Sequence, residues 1–285
     1  MSNDMKFNRG EYTDCDDFVK QMSGLQLSEY QLEAFLHSRG IPRKLLTYFN
    51  EELPMKFTSP VRHILDCGGG NGMYLDILLD LFSEAEGTLI DSAQFMLDQN
   101  KPHPRKRLLL ENLADMSSLI DSKQKFDLIC FSDVLHHCIV PSYTGTRELQ
   151  TTILKNAAKL LAPNGRILVS ERIFDSWITD EYSTYLTYVL TRSRLLSGVT
   201  RLLGANTAGV GVCFVSQKRF QKLCENAGLV IVEEVRLNNK KCSSEKIDKN
   251  KGALKRCLKV LVRSIGLGVK SIRHDLFLLQ NDPLG

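Results

Sequence analysis

Val61-Arg62-His63-Ile64-Leu65-Asp66-Cys67-Gly68-Gly69-Gly70-Asn71-Gly72 carries a mostly apolar run into an aspartate and then into a cluster of glycines. Met73-Tyr74-Leu75-Asp76-Ile77-Leu78-Leu79-Asp80-Leu81-Phe82 follows, and its only charges, Asp76 and Asp80, share one face of a helix. Strand, glycine turn and buried helix form the opening unit of a doubly wound α/β domain. Glycine lets the backbone approach a ligand and take positive φ, and a helix start offers free N–H groups, so the turn predicts a ligand site. A dinucleotide fingerprint does not fit, because Met73 stands where the third glycine belongs after Gly68 and Gly70. A phosphate-cradling P-loop does not fit either, since no Lys-Ser/Thr pair follows the glycines.

Downstream, strand and helix alternate. Gly87 to Asp91 reads as a second strand with a helix from Ser92 to Gln99, and Arg107 to Leu110 as a third strand. Phe126 to Phe131 is a continuous apolar run of the kind buried in parallel sheets. Thr146 to Leu161 predicts a helix with Leu149, Ile153, Leu154, Ala157 and Leu161 inward, and Pro163-Asn164-Gly165 turns into a fifth strand, Arg166 to Ser170. A helix from Gln217 to Ala227, capped by Ser216 and stopped by Gly228, leads to a strand from Leu229 to Val235. Asp275 to Leu279 completes a mostly parallel, seven-stranded, doubly wound α/β sheet.

The flanks set the expected organisation. Helices from about Asp16 to Leu53 form an N-terminal cap within residues 1–55, with a capping box at Ser28 to Gln31 and a break at Gly40-Ile41-Pro42. Leu45, Leu46, Phe49 and Leu53 make an apolar stripe that packs on the core of residues 60–173 and 214–285. Residues 174–213, rich in Tyr, Leu and Arg, interrupt that core after the fifth strand and are placed to act as a substrate lid. Residues 238–273 form a basic insertion; placed on a helix, 254–265 puts Leu254, Cys257, Leu258, Leu261, Val262 and Ile265 opposite Lys255, Arg256, Lys259 and Arg263. Such a segment packs on its own domain with a solvated basic face, or meets an anionic membrane surface or nucleic-acid phosphates.

The 285 residues, 43% hydrophobic and 25% charged with a formal charge of +4, suit one globular domain with a sizeable core. Eight cysteines are scattered without a C-x-x-C pair, several inside apolar runs, which favours reduced thiols over a disulfide framework or a zinc site. Neither a signal-peptide apolar region nor a run of membrane-spanning length is present, and a cytoplasmic location is expected.

Asp66-x-Gly68-x-Gly70-x-Gly72 resembles the first motif of class I S-adenosylmethionine-dependent methyltransferases, and the chain is similar to their small-molecule branch. Asp91, ending the second strand, matches the acid that holds the cofactor's ribose hydroxyls, with Ser92 beside it. Asn112 and Leu113 match the adenine-contacting position after the third strand, where aspartate is commoner in the family. Phe126 to His137 looks like the fourth-strand motif, with Ser132 at the methionine end of the cofactor, and Leu161 to Arg166 like the turn before the fifth strand. The resemblance implies binding of S-adenosylmethionine by Asp66, Gly68, Gly70, Gly72, Asp91, Ser92, Asn112, Leu113 and Ser132, with S-adenosylhomocysteine as product and no metal.

A sulfonium methyl is already activated, so such an enzyme mainly aligns the acceptor and excludes water. A base is required when the nucleophile carries a proton of high pKa, and His136 and His137 are the candidates. The fourth strand lacks an Asn/Asp-Pro-Pro-Tyr motif, which argues against an adenine exocyclic amine or a glutamine amide as acceptor. Glu171, Arg172, Tyr182 and Tyr185 stand where an acceptor pocket is expected. The expected acceptor is a small molecule of aromatic, quinone-like or lipid-like character. The alternatives are an RNA acceptor using residues 240–273, an NAD(P)-dependent oxidoreductase and a non-catalytic cofactor-binding module.

Overall fold

The structure, a computed structural model, describes residues 41–193, 195, 209–240 and 269–283. Its single sheet runs β3-β2-β1-β4-β5-β7-β6. The strands are β1 (His63–Cys67), β2 (Glu86–Asp91), β3 (Lys106–Leu110), β4 (Phe126–Ser132), β5 (Leu161–Ser176), β6 (Leu229–Lys240) and β7 (Val269–Asn281). The first five are mutually parallel, and β7 lies antiparallel to both β5 and β6. Seven strands, mostly parallel and doubly wound, are what the alternating sequence predicts. The helices are α1 (Arg43–Glu51), α2 (Met73–Leu81), α3 (Gln94–Leu97), α4 (Ser117–Asp121), α5 (Tyr143–Leu160), α6 (Tyr182–Arg192) and α7 (Gln217–Asn226).

Side chains alternate across a strand, and here both alternating sets are buried. Leu65, Ile129, Phe131, Ile167, Val169, Phe277 and Leu279 pack under α5 and α7 through Leu149, Ile153, Ala157, Phe220 and Leu223. Their strand neighbours Ile64, Leu128, Cys130, Leu168, Leu276 and Leu278 pack on the other face with Leu45, Tyr48 and Phe49 of α1 and Leu75, Leu78 and Leu79 of α2. The stripe on α1 therefore closes the second face, tied down by Tyr48 Oη donating to Glu233 at 2.9 Å.

Several elements differ in extent from the sequence reading. The fifth strand continues to Ser176, because its antiparallel partner β7 pairs with it from Ile167 through Ser176. β6 and β7 likewise outrun 229–235 and 275–279, so the strands take up both ends of the basic 238–273 span. The helix expected over 92–99 is only one turn, α3. Pro42, at the expected break, is the N-cap of α1. The expected helix and capping box before Gly40, lid residues 194 and 196–208, and the amphipathic 254–265 stretch lie outside the described residues.

Candidate active site

The glycine turn leaves β1 at Cys67 and enters α2 at Met73, with Gly68, Gly70 and Gly72 at φ of 66°, 56° and 75°. At Gly68 the backbone conformation and the space both demand glycine, since an added Cβ would collide with the Val134 side chain. Gly70 N–H donates to Asp91 Oδ2 at 3.0 Å, and Ala93 N–H donates to Asp91 Oδ1 at 2.9 Å. Asp91 thus joins the end of β2 to the turn. Burial raises its carboxyl above the usual range, opposed by backbone N–H groups of Ala93, Gly70 and Ser92. Each carboxylate oxygen can accept more than one hydrogen bond, so capacity remains for a ligand's hydroxyls.

Asp66 is wholly buried at the end of β1, and among the described residues neither carboxyl oxygen has a hydrogen-bond partner. Its carboxyl lies directly under Gly69, where any side chain would strike it. Burial pushes it up to about 7, with the neighbouring Asp91 charge adding to the rise and Lys106 opposing it. Beside the turn, Asn112 Oδ1 accepts from Ala114 N–H at 2.9 Å in a local turn, and buried Leu113 packs near Gly68. Ser132 ends β4 opposite Ser170 of β5. Asp66, Gly68, Gly70, Gly72, Asp91, Ser92, Asn112, Leu113 and Ser132 all lie on β1, β2 and β4 or in the loops that follow the first four strands.

His136 and His137 lie in a 3-10 turn, Leu135–His137, just past β4, with ring centroids 4.0 Å apart. His136 is buried; its Nδ1 lies 2.5 Å from Glu171 Oε1, and its backbone N–H donates to Glu171 Oε2 at 3.3 Å. Burial holds the His136 imidazole well below its usual range and raises Glu171 to about 7. His137 is lowered by burial and then by the adjacent His136. With Nδ1 committed to the carboxylate, Nε2 of His136 is the nitrogen able to accept a proton. The ring stacks on Phe214 at 4.7 Å, and Phe214 stacks on Phe174 at 4.1 Å. Gln150 holds the turn from behind, its Nε2 donating to Leu135 O and Cys213 O at 3.0 Å each.

Asp133 (φ 54°) places a carboxylate 3.3 Å from Arg172 Nε and 3.6 Å from His274 Nε2. Asp133, His136 and Glu171 each offer a metal-ligand atom, all within 4.8 Å of one another. Arg172 faces that cluster as its counter-charge, and Nδ1 of His136 is already engaged. Tyr182 and Tyr185 sit on α6, partly and half exposed, with the Tyr185 ring edge-on to Tyr143. Sequence reasoning placed Glu171 near a pocket but did not pair it with His136, 35 positions away. Phe214 and Gln150 carried no local signal at all, because their roles arise only when distant segments meet.

No helix among the described residues is long and apolar enough to cross a membrane. No curated protein matches the sequence. Among solved structures, StiE O-MT shares 14% identity, covering 85% of this chain and 75% of that one at a TM-score of 0.50. The mitomycin 7-O-methyltransferase MmcR shares 15% identity over 93% of this chain and 66% of its own, at 0.47. CalO1, a methyltransferase in calicheamicin biosynthesis solved in an SAH-bound form, shares 16% over 67% and 50%, at 0.44. The chain spans half to three quarters of the length of these structures, and such identities show the fold alone. A family model described as a methyltransferase domain matches residues 32–234, most of the chain and all of β1 to β5, and the protein belongs to that methyltransferase family.

Proposed function

We propose that the chain transfers a methyl group from S-adenosylmethionine to a hydroxyl of a small-molecule acceptor and releases S-adenosylhomocysteine. The observation that carries this reading is the buried pair of His136 Nδ1 and Glu171 Oε1 at 2.5 Å. A hydroxyl keeps its proton at neutral pH and therefore calls for a base, whereas an amine lone pair or thiolate does not. Glu171 fixes the tautomer in which Nδ1 carries the hydrogen and Nε2 takes the acceptor's proton, and the carboxylate stabilises the imidazolium that results. His137 packs against that ring as a neighbour rather than as the base.

The residues fit the cofactor. Bound S-adenosylmethionine supplies a methyl group already activated by its sulfonium. Asp91 would hold the ribose hydroxyls, and Ser92, Asn112 and Leu113 would flank the adenine. Gly68, Gly70 and Gly72 would let the turn's backbone approach the cofactor beside the start of α2, and Ser132 would mark its methionine end. The unpartnered Asp66 carboxyl suits a ligand with an ammonium group. The aromatic stack of Phe174, Phe214 and His136 supports an acceptor with a flat, apolar body. A cytoplasmic location belongs to the same reading, supported by the free thiols of Cys67, Cys130, Cys138, Cys213 and Cys224. The membrane or nucleic-acid contact expected of the basic segment falls mainly on 241–268, outside the described residues.

Calorimetric titration with S-adenosylhomocysteine tests the cofactor assignment. Replacing Asp91 with Ala is expected to weaken binding by on the order of 1–3 kcal/mol. Equal affinity in the variant, or stabilisation of the wild type by NADH alone, would overturn it.

A further inference from the structure

On the far side of Gln150 from His136 lies a second polar cluster that methyl transfer does not use. Arg147, one helical turn before Gln150 on α5, is buried and stacks over the Tyr143 ring at 4.8 Å. Its Nη2 donates to Tyr143 Oη at 2.5 Å and to Thr184 Oγ1 at 3.4 Å. Among the described residues, its Nε and Nη1 have no hydrogen-bond partner. Arg219 of α7 approaches from the other side, and its buried Nε also lacks a hydrogen bond. Both guanidiniums are left with the same carboxylate, Glu181, at ion-pair distances of 3.8 Å and 3.4 Å. Ser183, next to Thr184 on α6, is fully buried with an unpartnered hydroxyl.

The charges do not balance. Two guanidiniums face one carboxylate, and Glu181 is the most exposed of the three, its side chain 40% accessible against 4% for Arg147 and 22% for Arg219. The neighbouring Asp180 is taken up by Lys218 at 2.8 Å. A buried guanidinium with idle donors is costly unless an anion meets it, and planar oxyanions match its fork geometry. The three side chains do converge. The buried Cys213 thiol, raised chiefly by burial, also feels Arg147, Glu181 and Arg219.

We infer that Arg147 and Arg219 form an oxyanion site at the root of α6 that takes the carboxylate or phosphate of a small molecule when Glu181 swings outward. The site joins the lid helix α6 to α5 and α7, so an anion held there fastens the first part of the lid to the core. The inference stands whether or not His136 acts as the base.

Thermal unfolding in inorganic phosphate or acetate, against chloride at equal ionic strength, tests it on the full chain. Either oxyanion is expected to raise the melting temperature saturably. Arg219→Gln, altered at the more exposed arginine, is expected to bind it about ten-fold more weakly and Glu181→Gln about ten-fold more tightly. Arg147→Met is expected to abolish the response; if that variant does not fold, the other two still decide. Should the cluster be only a structural clasp, Glu181→Gln lowers the melting temperature and neither oxyanion restores it, which overturns the inference. Given binding, loss of label transfer from methyl-labelled S-adenosylmethionine to extract metabolites assigns the anion to the acceptor. Undiminished transfer assigns it to a separate effector.

Discussion

At the scale of single residues, Asp66 weakens the fold it sits in. Its carboxyl is buried, unpartnered and raised from 3.8 to about 7. In the unfolded chain the group loses its proton near its ordinary value, while the folded chain holds it until about 7. Stability is therefore lost as pH rises between those values and stays lost above them, by up to about 4 kcal/mol. Asp66→Asn removes the titration while keeping the shape. Its melting temperature should exceed the wild type's at pH 8, the gap should shrink by more than half at pH 5, and cofactor affinity should fall. A gap that does not change with pH, or a variant less stable at pH 8, would contradict this account.

At the scale of elements, the turn Leu135–His137 has too few internal hydrogen bonds to hold the His136 ring still. Its rigidity comes from outside: Gln150 on α5 binds Leu135 O and Cys213 O, and Cys213 N–H donates to His136 O at 2.8 Å. Gln150→Leu keeps the volume but strips Cys213 O of its amide donor and leaves Leu135 O with Cys138 N–H alone, at a cost of about 1–3 kcal/mol. We expect a lower melting temperature and a reduced turnover with unchanged affinity for S-adenosylhomocysteine. Unchanged turnover would show that the turn needs no clamp. This element also marks the limit of what the sequence discloses. Asp66, the glycines and Asp91 are legible because strand, turn and helix are local and glycine spacing is specific. The His136–Glu171 pair is half legible, since His136 follows the fourth strand and Glu171 lies on the fifth, but nothing in either stretch announces the partner. Gln150 and Phe214 are illegible, being ordinary residues until α5 and the segment before α7 close on the turn. The extra length of β5, β6 and β7 escapes notice for the same reason, because antiparallel pairing between distant segments extends them.

At the scale of the whole molecule, the strand order reverses at β1, with β2 and β3 on one side and β4 and β5 on the other. In open α/β sheets such a reversal is where loops from neighbouring strands part and ligands bind at the strands' carboxyl ends. One edge of the sheet thus carries the glycine turn, Asp91 at the end of β2 and the His136–Glu171 pair past β4 and on β5. The glycine turn and the His136–Glu171 pair share that edge because the topology puts them there, and the antiparallel β7 braces β5 beneath Glu171. On the proposed reading, this edge moves a methyl group onto a small-molecule hydroxyl with His136 taking the proton. The direct measurement is transfer of label from methyl-labelled S-adenosylmethionine to a cell extract by the wild type and by His136→Asn, side by side. The account predicts label in small metabolites with the wild type and a 10²- to 10⁴-fold lower rate with the variant, at equal affinity for S-adenosylhomocysteine. Label confined to RNA, or equal rates for the two proteins, would contradict it.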